Sequence, residues 1–226
     1  YQNIKRENAE ISGCNRFLVY ENKIEIYGKK ECYEVMDSQR AIEMLCTIGY
    51  IGVSAYTKLY EAKLFKDIRY PKGKINEDMY TTYKLFDKAN RIVYDATPKY
   101  YYRQRSGSIT NSKNINSDCI QAAKNLIQFV EQKYPNILNS AIKNYIYTII
   151  GVYDNILKSK KRGLDVRELK KKIKNDIKVY YPIIKKEKRN SKQRKLQLFL
   201  IRYFNVLYNI LFLLYDNVKN MTKKKE

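Results

Sequence analysis

The feature that most limits how this chain can fold is an acidic pair, Glu77-Asp78. It stands between a basic, glycine-containing loop (Tyr70 to Asn76) and a run in which Met79, Tyr83, Phe86 and Ala89 recur at helical spacing. That order puts the pair at a helix N-terminus. There the unpaired backbone N–H groups and the macrodipole favour negative charge, so Asp78 is expected to stay ionised, with an exposed edge able to accept a proton. Acidic residues are also enriched in first turns for purely structural reasons, so a base and a plain helix-start charge are both open readings at this point.

The residues before the pair read as the end of a sheet. Tyr1 to Glu10 has the pattern of a polar helix end. Arg16 to Tyr20 and Lys23 to Tyr27 then read as two strands joined at Glu21-Asn22 in a tight hairpin. Met36 to Ile48 is helical by period, with Asp37 or Ser38 as N-cap and Ile42, Leu45 and Cys46 on one face. Ile51 to Ala55 reads as a short buried strand, and Lys58 precedes a short helix over about 61–65. After the Asp78 helix, Ile92 to Tyr94 and Lys99 to Arg103 are expected as two strands around a turn at Asp95 to Pro98. Alternation in the second places Tyr100, Tyr102 and Gln104 on one face and Tyr101, Arg103 and Arg105 on the other. Two guanidiniums on one face suit a diphosphate, whose oxygens match their forked donors; an edge strand protected by charge is the plainer alternative.

The chain lacks histidine, which removes a His base, a Ser-His-Asp triad and any His-ligated metal from within it. Cys14, Cys32, Cys46 and Cys119 show neither C-x-x-C nor paired spacing, against a zinc site or a disulfide framework and in keeping with a reducing cytoplasm. No Asp-x-Asp and no Gly-rich phosphate loop occurs. The chain starts at Tyr1 in mid-pattern, and is expected to be the C-terminal piece of something longer. Mean hydropathy of -0.61 points to a soluble or peripheral protein rather than a multi-span one.

In order and spacing, VSAYTKLYEAKLF, IRYPKGKINEDMYTTYKLF and IVYDATPKYYYRQRSGSIT resemble the second half of bacterial family-2 inverting glycosyltransferases. The resemblance covers Tyr1 to about Ser112. It implies an α/β fold, a partial GT-A (Rossmann-like) domain, followed by a mainly helical C-terminal region. It also implies that Asp78 is the general base with Glu77 beside it. Lys58, Arg103, Arg105 and Ser108 become substrate-binding candidates, Ser108 within a loop, Ser106 to Ser112, similar to one that closes over the donor. The implied partners are a nucleotide-sugar donor and a glycan or lipid-linked acceptor. The implied cofactor is a divalent metal, Mn²⁺ or Mg²⁺, with ligands outside this chain. One departure is that Tyr56-Thr57 stands where the family often has Trp-Asn.

From Asn116 onward helices take over, over about 117–133, 139–158 and 165–179, so domains are expected over 1–112 and 113–226. The net charge of +22 implies an anionic partner, and residues 158–226 hold 22 basic and 6 acidic residues, +16 of that total. Because the charge lies in the helical tail and not on the Tyr-bearing strands, nucleic acid is the weaker partner class. Leu196 to Val218 is apolar except for Gln197, Arg202, Asn205, Asn209 and Asp216, which fall within an arc of about 140°. This pattern suits an amphipathic helix lying in the plane of an anionic membrane, flanked by Lys185, Lys186, Lys188, Arg189, Lys192, Arg194 and Lys195 before it and Lys223 to Lys225 after it. Lys195, Phe199, Arg202, Phe204 and Phe212 are its expected membrane contacts; a buried helix in a bundle is the alternative. The reading for the whole is inverting sugar transfer for cell-surface polysaccharide on the inner membrane face. The competing reading is a non-catalytic basic module that binds anionic lipid or nucleic acid.

Overall fold

The computed structural model describes residues 1–28, 31–47, 49–105, 115, 117–159, 163–186 and 192–223. They form an α/β sheet domain and a helical C-terminal region, as the sequence predicts. Two compact units result. One comprises the described residues of Tyr1–Ser112 with Asp118–Asn144, the other those of Tyr145–Glu226 with Ile115 and Ser117.

In the first unit α1 (Gln2–Glu7) leads into β1 (Ile11–Val19), whose first half buries Ile11, Gly13 and Asn15 in strict alternation. β1 pairs antiparallel with β2 (Ile24–Ile26), closing the expected hairpin, and carries β5 (Ile92–Arg103) in parallel on its other side. β5 pairs antiparallel with β3 (Tyr33–Met36), and β4 (Lys58–Tyr60) pairs antiparallel with the start of β1. α2 (Ser38–Leu45) begins at Asp37, whose carboxylate accepts the Arg40 N–H at 2.7 Å. α3 (Glu77–Lys88) buries Tyr80 to Tyr83, Leu85 and Phe86, and α4 (Asp118–Lys133) packs on it through Tyr83 and Phe129, rings 5.0 Å apart.

Three expectations in this unit are corrected. The two strands predicted around Asp95 to Pro98 are one strand, because the ladder with β1 shifts register on either side of Asn15. Pro98, opposite Asn15, thus falls where the ladder slips and its missing N–H matters least. Ile51 to Ala55 is no strand, although Ile51 is buried. Its carbonyls are taken by side chains: Gly52 O and Ser54 O accept from the Lys58 ammonium, and Val53 O from the Thr82 hydroxyl at 2.7 Å. The segment expected as a helix over 61–65 is a single 3₁₀ turn, Ala62–Phe65.

The second unit is built from the later part of α5 (Leu138–Ser159), α6 (Leu164–Lys186), α7 (Lys192–Tyr203) and α8 (Asn205–Lys223). α6 runs past the predicted end at Val179 and through Pro182. Proline lacks the N–H that would bond Lys178 O, four residues back. Arg202 Nη1 donates to that carbonyl at 3.2 Å, its guanidinium lying 4.6 Å from the Tyr181 ring centre, and the helix continues.

The helix expected as one piece over 196–218 is two, parting at Phe204. The backbone bonds from Phe204 N–H to Leu200 O (2.8 Å) and from Tyr208 N–H to Phe204 O (2.9 Å) persist. Yet Gln197 Nε2 reaches Tyr208 Oη at 2.6 Å, across eleven residues that would span about 16 Å in a straight helix. The bend is what brings both to Asp154 on α5, with Tyr208 Oη donating to Oδ1 at 2.5 Å and Gln197 Nε2 to Oδ2 at 3.4 Å. The polar stripe is thereby turned onto the protein's own helices. Tyr153 Oη meets Asn205 and Asn209, and Lys158 pairs with Asp216 at 3.0 Å.

Candidate active site

The site is built where α3 starts. Asn76, left-handed at φ 65°, turns the chain into the helix without a side-chain cap, and Glu77 and Asp78 form the first turn. Asp118, at the head of α4, accepts from Ile75 N–H (3.1 Å) and Lys74 Nζ (3.3 Å), which ties the basic loop before α3 to its neighbouring helix. Asp78 accepts the Met79 N–H at 2.9 Å and is half-buried.

That burial raises the proton affinity of the Asp78 carboxyl above the ordinary carboxylate value, helped by the Glu77 charge and opposed by the Met79 N–H and the Lys58 ammonium. The direction is opposite to the one a helix start alone imposes, because desolvation outweighs the dipole here. A carboxylate so displaced holds a captured proton better than a surface one does.

Lys58 is the unexpected member, since a lone lysine is normally solvated. Here it is 8% exposed, and its Nζ donates to Gly52 O, to Ser54 O at 2.9 Å and to Thr57 Oγ1 at 3.5 Å. Burial pushes its pKa down to about 7, against the pull of Asp78 and Cys14. Asp78 acts on it as a nearby charge, not as a hydrogen-bond partner. With three acceptors around one ammonium, Lys58 clamps the 52–54 loop. Lys58→Met is therefore expected to leave stability within about 2 kcal/mol of wild type in urea unfolding at pH 7, because relief of a buried charge whose pKa falls from 10.5 to about 7 offsets the lost contacts to Gly52 O, Ser54 O and Thr57 Oγ1. A variant more stable than that would show that the buried charge dominates.

Tyr60 and Tyr70 complete the surroundings. The Tyr60 hydroxyl is buried near Thr82 and Tyr70 without a well-formed hydrogen bond, and burial first, then the Tyr70 and Asp78 charges, push it up. Tyr70 is raised by burial and by Asp78 and Glu77.

The guanidinium on this face of the sheet is Arg16. It lies 3.8 Å from the Tyr27 ring centre and 6.0 Å from that of Tyr56, with its Nε buried and lacking a partner. Tyr56 in turn stacks on Tyr100 (4.5 Å) and Tyr102 (5.2 Å), as their predicted shared face requires. Arg16 opens on a cavity of about 220 Å³ with Gly52, Ser54 and Met79. A second cavity of about 560 Å³ is lined by Tyr56, Lys58, Lys99 and Tyr100.

Arg103 is not brought to this group. It follows Tyr101, which stacks on Phe17 at 4.7 Å, so alternation puts it on the opposite face, exposed. Arg105 is exposed beyond the strand, and Ser108, with its loop, lies outside the described residues. Sequence reasoning missed Arg16, Tyr60 and Tyr70. The signal available for Arg16 was its place in the predicted hairpin, but nothing in the sequence pairs it with Tyr100. Among the described residues no cluster of carboxylates and cysteines is arranged to hold a metal ion.

The expected membrane contacts divide. Phe199 and Phe204 are exposed, and Lys195 is half-buried. Arg202 is turned to α6, and Phe212 lies against Tyr208 (6.0 Å) under the Lys158 ammonium (5.6 Å). No helix among the described residues is long and apolar enough to cross a membrane.

No protein-family model matches the chain. Over 118 residues it is 29% identical to "Glycosyltransferase GlyA" of Streptococcus pneumoniae serotype 4 (strain ATCC BAA-334 / TIGR4), covering 49% of this chain and 17% of that protein. The chain is similar to glycosyltransferases. A second relative from the same strain, "Glycosyltransferase GlyG", is 23% identical over 177 residues, covering 75% of this chain and 57% of that protein. The chain thus spans from about a sixth to just over half the length of the curated relatives it matches.

Proposed function

We propose that this chain is the acceptor-side part of an inverting glycosyltransferase of the family-2, GT-A type. It would transfer sugar from a nucleotide-sugar to an acceptor hydroxyl for capsule, exopolysaccharide or teichoic acid, peripherally on the inner membrane face. The observation that carries the reading is Asp78, a half-buried first-turn carboxylate with raised proton affinity, in a chain similar over part of its length to proteins named glycosyltransferases. In the step, Asp78 takes the proton from the acceptor hydroxyl as that oxygen attacks the anomeric carbon. The bond from that carbon to the nucleoside diphosphate breaks with its electron pair, and the configuration inverts. Glu77 keeps the Asp78 carboxyl proton-hungry, Lys58 fixes the loop beside it, and Arg16 is the cation on the same face. Metal ligands would come from outside this chain.

The test is transfer by the complete protein from a panel of nucleotide-sugars to membrane lipid extract with Mn²⁺ or Mg²⁺, with the product linkage read by NMR. An inverted anomeric configuration is expected. Retention, or no transfer from any donor, overturns the reading.

A further inference from the structure

We infer that α7 and α8 dock flat on an anionic lipid bilayer, with the apolar side of α8 facing the lipid and its polar stripe latched onto the protein. The inference rests on the peripheral placement proposed above and is independent of the sugar chemistry.

The argument starts from the orientation of α8. Asn205, Tyr208, Asn209 and Asp216 all meet α5, through Tyr153, Asp154 and Lys158. At about 100° per residue these four occupy an arc of roughly 100°. An ordinary surface helix turns its apolar stripe inward and its polar residues to water; α8 does the reverse. Val206 (73% exposed), Ile210 (52%), Leu214 (57%) and Val218 (60%) stand outward along its length, and Leu207, Leu211 and Tyr215 widen the band. Phe199, Tyr203 and Phe204 continue it across the bend onto α7. A contiguous apolar surface of this extent marks an interaction site.

Three occupants compete: a spanned membrane, a second copy and a bilayer surface. Spanning is disfavoured because no helix among the described residues has the length and apolarity to cross, and because the polar stripe is engaged by α5. A second copy would press together two surfaces from a region carrying 22 basic and 6 acidic residues, in a chain of net charge +22. Like charges at that density oppose self-association. An anionic leaflet accepts both features at once, the apolar band entering the headgroup boundary and the basic residues remaining at its surface. Lys185, Lys186, Lys192 and Lys195 lie just before the band, where such charge adds to the apolar attachment.

The test is flotation of the full chain with phosphatidylcholine vesicles that contain or lack phosphatidylglycerol, for wild type and for Ile210→Glu/Leu214→Glu. Both substituted residues point outward, so circular dichroism and Tm should match wild type. Binding at least about tenfold tighter to the anionic vesicles, lost by at least about tenfold in the double variant, is expected. Equal binding to neutral vesicles overturns the inference. So does undiminished binding by the variant, or a stable dimer in vesicle-free solution that the two substitutions dissolve. The same substitutions in the complete protein should leave transfer to a detergent-solubilised acceptor unchanged, so failure here and failure of the transferase reading give different results.

Discussion

Asp78→Asn in the complete protein is expected to lower kcat for sugar transfer by about 10² or more while donor affinity stays within about twofold. Asparagine matches the carboxylate in shape, and its Oδ1 can still accept the Met79 N–H that Asp78 accepts at 2.9 Å, so the helix start should survive. What it cannot do is take the acceptor's proton. The pH dependence gives a second reading. A base must be ionised to work, so kcat/KM should rise with pH through the Asp78 pKa of the free protein. That limb should lie above the ordinary carboxylate range, because burial and the Glu77 charge disfavour ionisation. Glu77→Gln removes the like charge and should move the limb to lower pH. An unchanged rate in Asp78→Asn would return the residue to a helix-start charge and leave the basic helical tail as the better guide to what the chain does.

Asp154→Asn is expected to stabilise the chain at pH 7 by about 2 kcal/mol in urea unfolding, an unusual sign for removing a hydrogen-bonded carboxylate. Burial holds the Asp154 pKa at about 6, against an ordinary 3.8, although Tyr208, Arg194, Lys158 and Gln197 all favour the charged form. A carboxyl that binds its proton more tightly when folded contributes stability that is present below about pH 4 and lost as pH rises through about 6. The shift corresponds to about 3 kcal/mol forfeited at pH 7, from which we subtract about 1 for a poorer contact with Gln197. The gap between variant and wild type should therefore close on acidification and reverse below about pH 4, where the variant keeps only its poorer contact with Gln197. A variant less stable than wild type at pH 7 would mean that attraction to Arg194 and Lys158 outweighs the desolvation.

Elements with one strong local signal were legible in the sequence. The Arg16 to Tyr27 hairpin, the Asp37 cap, the start of α3 at Glu77 and the helices α4 and α5 depend on period, turn chemistry and capping within a dozen residues. The errors share a different cause, a partner that composition and period do not reveal. Ile51 to Ala55 has the composition of a strand, but Lys58 and Thr82 occupy the carbonyls a neighbouring strand would need. Pro98 reads as a breaker until β1 supplies a slip in register opposite it. Arg16 looks like one more hairpin residue until β5 places Tyr100 beside it. The two arginines that local alternation offered as a phosphate grip do share a pattern, and Arg103 stands on the other side of the sheet from Asp78.

The repair within α6 has a consequence for how this chain can diverge. Lys178 O has lost its helical donor to Pro182 and is served by Arg202, a residue on another helix. The effect of a change at position 202 therefore depends on what occupies position 182. With an N–H restored at 182 the carbonyl is satisfied locally, and a change at 202 then costs only the guanidinium's contacts with the Tyr181 and Tyr203 rings. With proline in place, losing the guanidinium also leaves a helical carbonyl to water alone and weakens the junction of α6 with α7. The two positions, 20 apart in sequence, are therefore coupled, and the cost of a change at one depends on the residue at the other.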